Sequence, residues 1–294
     1  MSLPLELRAN DIQKHILSID SRFRQNPLTT NASNYYIQLP TPIKNVLRIR
    51  MTALEFPNNY PSFFSGRKNV SFCVLTVSGG VTNVAPVKIP DGVYTAVDMY
   101  TELNTIFAAD GIPWVVASFD FVVGKFRFRG SRPFAFDTTY QSLDRPFDYG
   151  LGYYLGFPRG VLNAIPNPDV SGEYILKGEF TASFNGDNYI LMKINDFECV
   201  RHTTSSTDVR AFAKIILRDP KTYVAFDDYA SKHAKEVVFK APQNLSRLHI
   251  QVLDPYGDEL ALTGINHSFS IEVLEIQNMS LYNSIRESLS LKYS

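Results

Sequence analysis

Short apolar runs bounded by Pro, Gly, Asn and Asp recur along this 294-residue chain at intervals of about 8–15 residues, which reads as an all-β sandwich or barrel. The longest is NVLRIRMTALEF, from Asn45 to Phe56. In it Val46, Arg48 and Arg50 share one parity, and Leu47, Ile49, Met51 and Ala53 the other. Strand side chains alternate between faces, so the second set is expected in the core and the two arginines outside it. YYIQL (Tyr35 to Leu39) precedes this run. VSFCVLTV (Val70 to Val77), a Gly79-Gly80 turn and VAPVKI (Val84 to Ile89) come after it. Beyond residue 172 the pattern resumes in EYILKGEF, NYILMKINDFECV, VRAFAKIILRD, EVVFKAP, RLHIQVLD and HSFSIEVLEI. The last sets Phe269, Ile271, Val273 and Glu275 against Ser270, Glu272, Leu274 and Ile276.

Between these blocks the pattern changes. After Pro90-Asp91-Gly92, Met99, Leu103, Ile106 and Phe107 fall at helical spacing, with Thr95 as the N-cap. WVVASFDFVVGKFRFRG then reads as a hairpin turning at Gly124, and Leu151 to Phe157 as a short helical piece. Residues 90–165 are thus expected to form a β-α-β-β-α module inserted between strands of a larger sheet system. The polar segment 202–208 reads as a surface loop and 219–236 as a surface loop or short helix, and Leu281, Ile285 and Leu289 fall at helical spacing in the tail.

Charge narrows the function. Lys+Arg and Asp+Glu each number 29, so the basic excess of a nucleic-acid binder is missing. The longest basic cluster, Arg127, Arg129 and Arg132, lies in KFRFRGSRPFAF, interleaved with phenylalanines. That stretch could be a base-stacking platform. The shared parity of Phe126 and Phe128 favours a hairpin with Phe126, Phe128, Phe134 and Phe136 in the core and Arg127 and Arg129 in water. Cys73 and Cys199 are expected as two buried thiols without a disulfide. No stretch approaches the roughly 18 apolar residues of a transmembrane helix. The opening MSLPLELRANDIQKHILS does not read as a signal peptide, so the sequons at Asn31, Asn69 and Asn278 read as chance.

Reactive groups do not converge. Cys199 and His202 form half a zinc motif with no second pair among the five histidines (His15, His202, His233, His249 and His267). Asp227-Asp228 and Asp258-Glu259 lack the ligand ladder of a calcium loop. There is no nucleophile elbow and no phosphate-binding glycine loop; Gly150-Leu151-Gly152 has the wrong context. No catalytic, cofactor-binding or metal residue is therefore assigned, no cofactor is expected, and the chain reads as a non-enzyme.

The stretch from Ile19 to Phe64 carries five elements in order: IDSRFR (Ile19 to Arg24), a polar spacer, YYIQL, PIKNV (Pro42 to Val46) and a long strand running into EFPN (Glu55 to Asn58). It resembles the start of minor capsid or penton-type virion proteins of nucleocytoplasmic large DNA viruses. There an "IDSRDR"-like arm precedes an "F/Y-x-I-x-L" strand, a "pl-x-NV" turn and "E-x-PN". IPDGVYTAVDMYTELN, DFVVGKFRF and YYLGF resemble the inserted module of the same proteins, so the likeness covers roughly the first 160 residues. Phe23 stands where the family's arm carries an acid, which removes any acid-mediated contact there.

The resemblance implies a mainly β fold: a jelly-roll sandwich with an inserted small α+β module and extended N- and C-terminal arms. The expected division is an arm at 1–33, a discontinuous jelly roll at 34–89 and 166–279, the module at 90–165 and a tail at 280–294. The implied role is a structural component of an icosahedral capsid, in the virion. Its partners would be the major capsid protein, other capsid proteins and its own copies, as a pentamer in the vertex form. No nucleic acid and no membrane-spanning segment enter that picture. An arm of about 30 residues with little apolar content orders by lying on a neighbour. The alternative role is a jelly-roll glycan-binding or fibre-like attachment module, for which Tyr223, Phe226 and Tyr229 in 219–236 are the candidate aromatic platform.

Overall fold

The computed structural model describes residues 9–78, 81–143, 149–203, 208–217, 224–227 and 235–290. The chain is mainly β with curled sheets, the class expected of a jelly-roll sandwich. Strands β1 (Ile12–Asp20), β2 (Asn34–Pro57), β3 (Ser71–Ser78) and β4 (Val81–Lys88) precede helix α1 (Ala96–Ala109). Next come β5 (Val115–Asp120), β6 (Lys125–Gly130), β7 (Ala135–Asp137) and the one-turn helix α2 (Leu151–Tyr154). β8 (Val161–Asn163), β9 (Ile165–Pro166) and β10 (Tyr174–Lys177) come after it. β11 (Tyr189–Ile194), β12 (Val200–Thr203), β13 (Asp208–Ala211) and β14 (Ala213–Ile216) lead to β15 (Val224–Asp227), β16 (Glu236–Leu253) and β17 (Ser268–Ile276). Helix α3 (Met279–Ser290) ends the described chain.

One compact unit comprises residues 1–59 and 187–294. Its main sheet has the order β1-β17-β2-β16-β11-β14, with β15 also paired to β2. The 24-residue β2 is the spine, hydrogen-bonded to β16 on one edge and β17 on the other. Its pairing with β17 breaks twice: Ala53 and Met51 pair with consecutive residues of β17, as do Arg48 and Val46. Thr52 and Leu47 are the unpaired extras. Each such bulge flips the parity of the strand beyond it. The buried set is therefore Val46, then Ile49 and Met51, then Leu54 and Phe56, all fully buried. Leu47 and Ala53, expected in the core from strict alternation, are only half-buried, and Val46, expected outside, is inside. Ile49 and Met51 sit where the alternation puts them.

The other unit is Tyr60–Gly186. Two four-stranded sheets, β5-β6-β10-β9 and β4-β3-β7-β8, share one apolar core with α1. Thr95 caps α1 through a reciprocal box with Asp98, and Met99, Leu103 and Phe107 form its buried stripe. Phe126, Phe128, Phe134 and Phe136 all point into this core, with the Phe128 and Phe136 rings 4.6 Å apart edge to face. The inward alternation expected in KFRFRGSRPFAF holds, but its halves do not pair as a hairpin: β6 pairs with β5 and β10, and β7 with β3 and β8 in the other sheet. Those rings have no free face for a base. The unit is larger than the module expected at 90–165. Phe63, Phe72, Val74, Val87 and Ile89 pack into the same core as Met99 and Phe107, so the boundaries fall at 59/60 and 186/187.

Candidate assembly surfaces

The segment expected to be a free arm folds onto its own chain. β1 runs antiparallel to β17 over nine residue pairs, from Ile12–Ile276 to Asp20–Ser268. Asp20 then caps the short turn Ser21–Phe23: its carboxylate accepts from the Arg22 backbone N–H at 2.9 Å and pairs with the Arg22 guanidinium. Those hydrogen bonds hold the Asp20 carboxyl below the usual carboxylate range. Arg24 donates to four acceptors: the carbonyls of Ser21 (2.7 Å), Pro27 (3.0 Å) and Thr30 (3.1 Å) and Oδ1 of Asn266 (2.9 Å). Ser21 is buried and exchanges two hydrogen bonds with His267. The IDSRFR stretch is thus an internal clasp, and its polar content serves local turns rather than a neighbour. Residues 1–8 lie outside the described chain.

What the clasp leaves exposed is apolar. Phe23 is 78% exposed and Leu28 98%. In the Tyr60–Gly186 unit the β5–β6 turn carries Phe121, Val122 and Val123, with 66%, 95% and 50% of their surfaces in water. This tip is held firmly. Asp120 accepts from the Val122 and Val123 N–H groups at 3.0 and 3.3 Å and pairs with Arg127. These bonds lower its carboxyl pKa. Gly124 closes the turn at φ 68, a conformation open to glycine. Three consecutive apolar residues in a tight turn break the rule that turns are polar, and that signal can be read from the sequence alone.

Sheet edges are the other candidate surface. β4 is the outer strand of its sheet and exposes Val81 and Val84, while Pro86 interrupts its free edge. β1 is the outer strand of the other unit's main sheet and exposes Ile16. In α3 none of the side chains from Met279 to Glu287 is buried.

The groups weighed for chemistry are held apart in structural roles. Cys199, expected buried, is exposed, and its thiol donates to the Phe212 carbonyl at 2.6 Å. The His202 ring contacts the Pro255 carbonyl and the Tyr189 hydroxyl instead. Cys73 is buried, which pushes its thiol up to about 11. Glu259 accepts from the Ser33 hydroxyl at 2.7 Å and from the Asn34 amide. Among the described residues no three His, Cys, Asp or Glu side chains gather as a metal site would need. Of 219–236, the backbone of β15 and the chain from 235 onward are described; Tyr223, Tyr229 and the Phe226 side chain lie outside the described residues. Among the described residues no helix is long and apolar enough to cross a membrane.

No family model matches the chain. No curated protein matches it either. Among solved structures it is similar to the mavirus penton protein, with a TM-score of 0.45 and 14% identity, over 89% of this chain and 99% of that one.

Proposed function

We propose that the chain is a structural component of an icosahedral virus capsid, a minor capsid or vertex protein that works through protein–protein contacts. The observation that carries this is the rigid apolar tip Phe121–Val123, hydrogen-bonded into one shape yet turned to water. A free-standing protein gains nothing from holding such a group in solvent, whereas an assembling one buries it in a neighbour. The exposed Phe23 and Leu28 on the clasp are further contact points of the same kind. The resemblance of the first 160 residues to minor capsid and penton-type proteins supports the same reading. The partners are the major capsid protein, other capsid proteins and copies of this chain, and the place of action is the virion.

Light scattering on the purified chain, with its position in a reconstruction of the intact particle, tests this. A closed oligomer, or density for the chain within the shell, is expected. A monomer at every concentration that is also absent from purified particles would overturn the proposal.

A further inference from the structure

Along the outer face of the β5–β6–β10 sheet, charge is unevenly distributed. Register places Val116 beside Arg129 and Ser118 beside Arg127, and on the other side Lys177 beside Arg127. Because Phe126 and Phe128 point inward, Lys125, Arg127 and Arg129 line the opposite face, spaced about 7 Å apart by the strand period. Arg127 is paired with Asp120, and Lys125 donates to the Glu179 carbonyl. Arg129 and Lys177 are exposed and have no carboxylate partner among the described residues. In a chain of zero net charge this is a local cationic stripe.

The stripe ends in a cleft of about 370 Å³, formed where β5 begins, β6 ends and the loop before β10 closes over them. Trp114, Arg129, Ser131, Ser171 and Glu173 line it. The indole Nε1–H of Trp114 is buried and has no acceptor among the described residues. The Arg132 guanidinium lies 4.0 Å over the indole ring. The Glu173 carboxylate is positioned by the Asn167 amide at 2.5 Å.

We infer that this cleft and stripe bind an acidic glycan, a chain of sugar rings carrying carboxylate or sulfate groups. The donor groups set the first requirement: two unneutralised cations and two serine hydroxyls call for an anionic, acceptor-rich ligand. Glu173 sets the second. A carboxylate inside the cleft repels a ligand that carries only anionic groups, but it accepts from one that also brings hydroxyl donors. Sugars bring both. A single-stranded nucleic acid would need free aromatic faces to stack its bases, and here the phenylalanines are buried while Arg132 covers the indole. This site is independent of the capsid reading, and it gives the attachment alternative a location other than segment 219–236.

Trp114 is the chain's only tryptophan, so its fluorescence reports on this cleft alone. The full chain is titrated with four probes: a heparin hexasaccharide, a hyaluronan hexasaccharide, neutral dextran and polyglutamate. A saturable change in emission with an acidic hexasaccharide is expected, and the comparison of heparin with hyaluronan tells sulfate from carboxylate recognition. The double variant Arg129→Ala/Lys177→Ala is expected to weaken binding by at least about tenfold, as the loss of two charge-assisted contacts requires. Lys240→Ala, on the other unit, leaves binding unchanged. Glu173→Gln is expected to weaken the glycan and to improve polyglutamate. No emission change with either acidic hexasaccharide overturns the proposal. So does tighter binding of polyglutamate than of glycan, equal binding of dextran, or a Glu173→Gln variant that gains glycan affinity.

Discussion

His267 donates from Nε2 to the carbonyl oxygen of Ala32 at 3.0 Å, joining two residues 235 positions apart. The acceptor is a carbonyl, so the ring is the Nε2–H tautomer, and Nδ1 faces a buried environment with no partner among the described residues. Tyr35, Phe56 and Phe269 surround the ring, with centroids 5.6 to 6.2 Å away. Burial drives the imidazole pKa down to about 4, against a smaller upward pull from the Ala32 carbonyl and Asp20 and a further downward one from Arg24.

This burial gives stability a pH dependence of definite sign. The unfolded chain takes a proton near pH 6.5, while the folded chain resists until about pH 4. Stability from this residue is therefore complete above pH 6.5 and lost as the pH falls towards 4, by at most about 3 kcal/mol. Urea unfolding at pH 7.5, 6.5, 5.5 and 4.5 measures it. The variant His267→Gln should be less stable at pH 7.5 and should show a shallower slope between pH 6.5 and 4.5. An unchanged slope would assign the acid sensitivity elsewhere.

Arg24 and Arg22 should separate sharply despite their closeness in sequence. Arg24→Ala strands three carbonyls and an amide oxygen and should cost roughly 1.5–3 kcal/mol, the range for hydrogen bonds to a charged group. Arg22→Ala removes a solvent-exposed ion pair and should leave stability nearly unchanged. Hydrogen exchange over residues 21–31 should speed up only in the Arg24 variant. Equal effects would mean the clasp does not hold the segment.

The two bulges in β2 make a register prediction. Val46→Ala should be more destabilising than Leu47→Ala, although Leu47 is the larger residue, because only Val46 is fully buried. Ile49→Ala should cost about 2–5 kcal/mol, as large-to-small changes in a core do. Arg48→Ala, which breaks the 2.7 Å pair with Glu272 on a half-buried face, should cost far less. Thermal unfolding of the four variants decides. A larger loss at Leu47 than at Val46 would restore the unbroken alternation.

The fold is legible in the sequence wherever its signals are local. Period two and period 3.6 are local, so the strands, the Thr95 cap, the Met99–Leu103–Phe107 stripe and the inward phenylalanines can all be read from residues near one another. The bulges cannot, because Thr52 and Leu47 are extra only relative to the pairing partner, more than 200 positions away. The clasp is hidden for a related reason. Asp20, Arg22 and Arg24 read as a polar arm until Asn266 and His267 arrive from the other end of the chain to complete it. Unit boundaries are hidden similarly: β3 and β4 look like host strands by pattern, and only their shared core with α1 shows where they belong. The cleft at Trp114 draws on residues from 114 to 173, and no motif joins them.

The last prediction concerns the tip. Excising residues 91–165 of the module expected at 90–165 would cut through the core that Phe72 and Val87 share with Phe107 and Phe128, so such a deletion should unfold the Tyr60–Gly186 unit and would say nothing about contacts. Changing the surface alone avoids this. Val122 and Val123 contribute little to the core, and the turn is shaped by the Asp120 carboxylate and Gly124, which stay in place. Val122→Ser/Val123→Ser should therefore leave thermal unfolding within about 0.5 kcal/mol of the parent, as surface changes away from such features do. If the tip is buried in a neighbour, the pair should reduce oligomer yield or incorporation into particles. Asp120→Ala makes the complementary change: it keeps the apolar residues but releases the turn, and it should weaken assembly by loosening the tip's shape. Full assembly by both variants, with both folded, would show that the tip is not a contact, and the capsid reading would then rest on Phe23, Leu28 and the sheet edges.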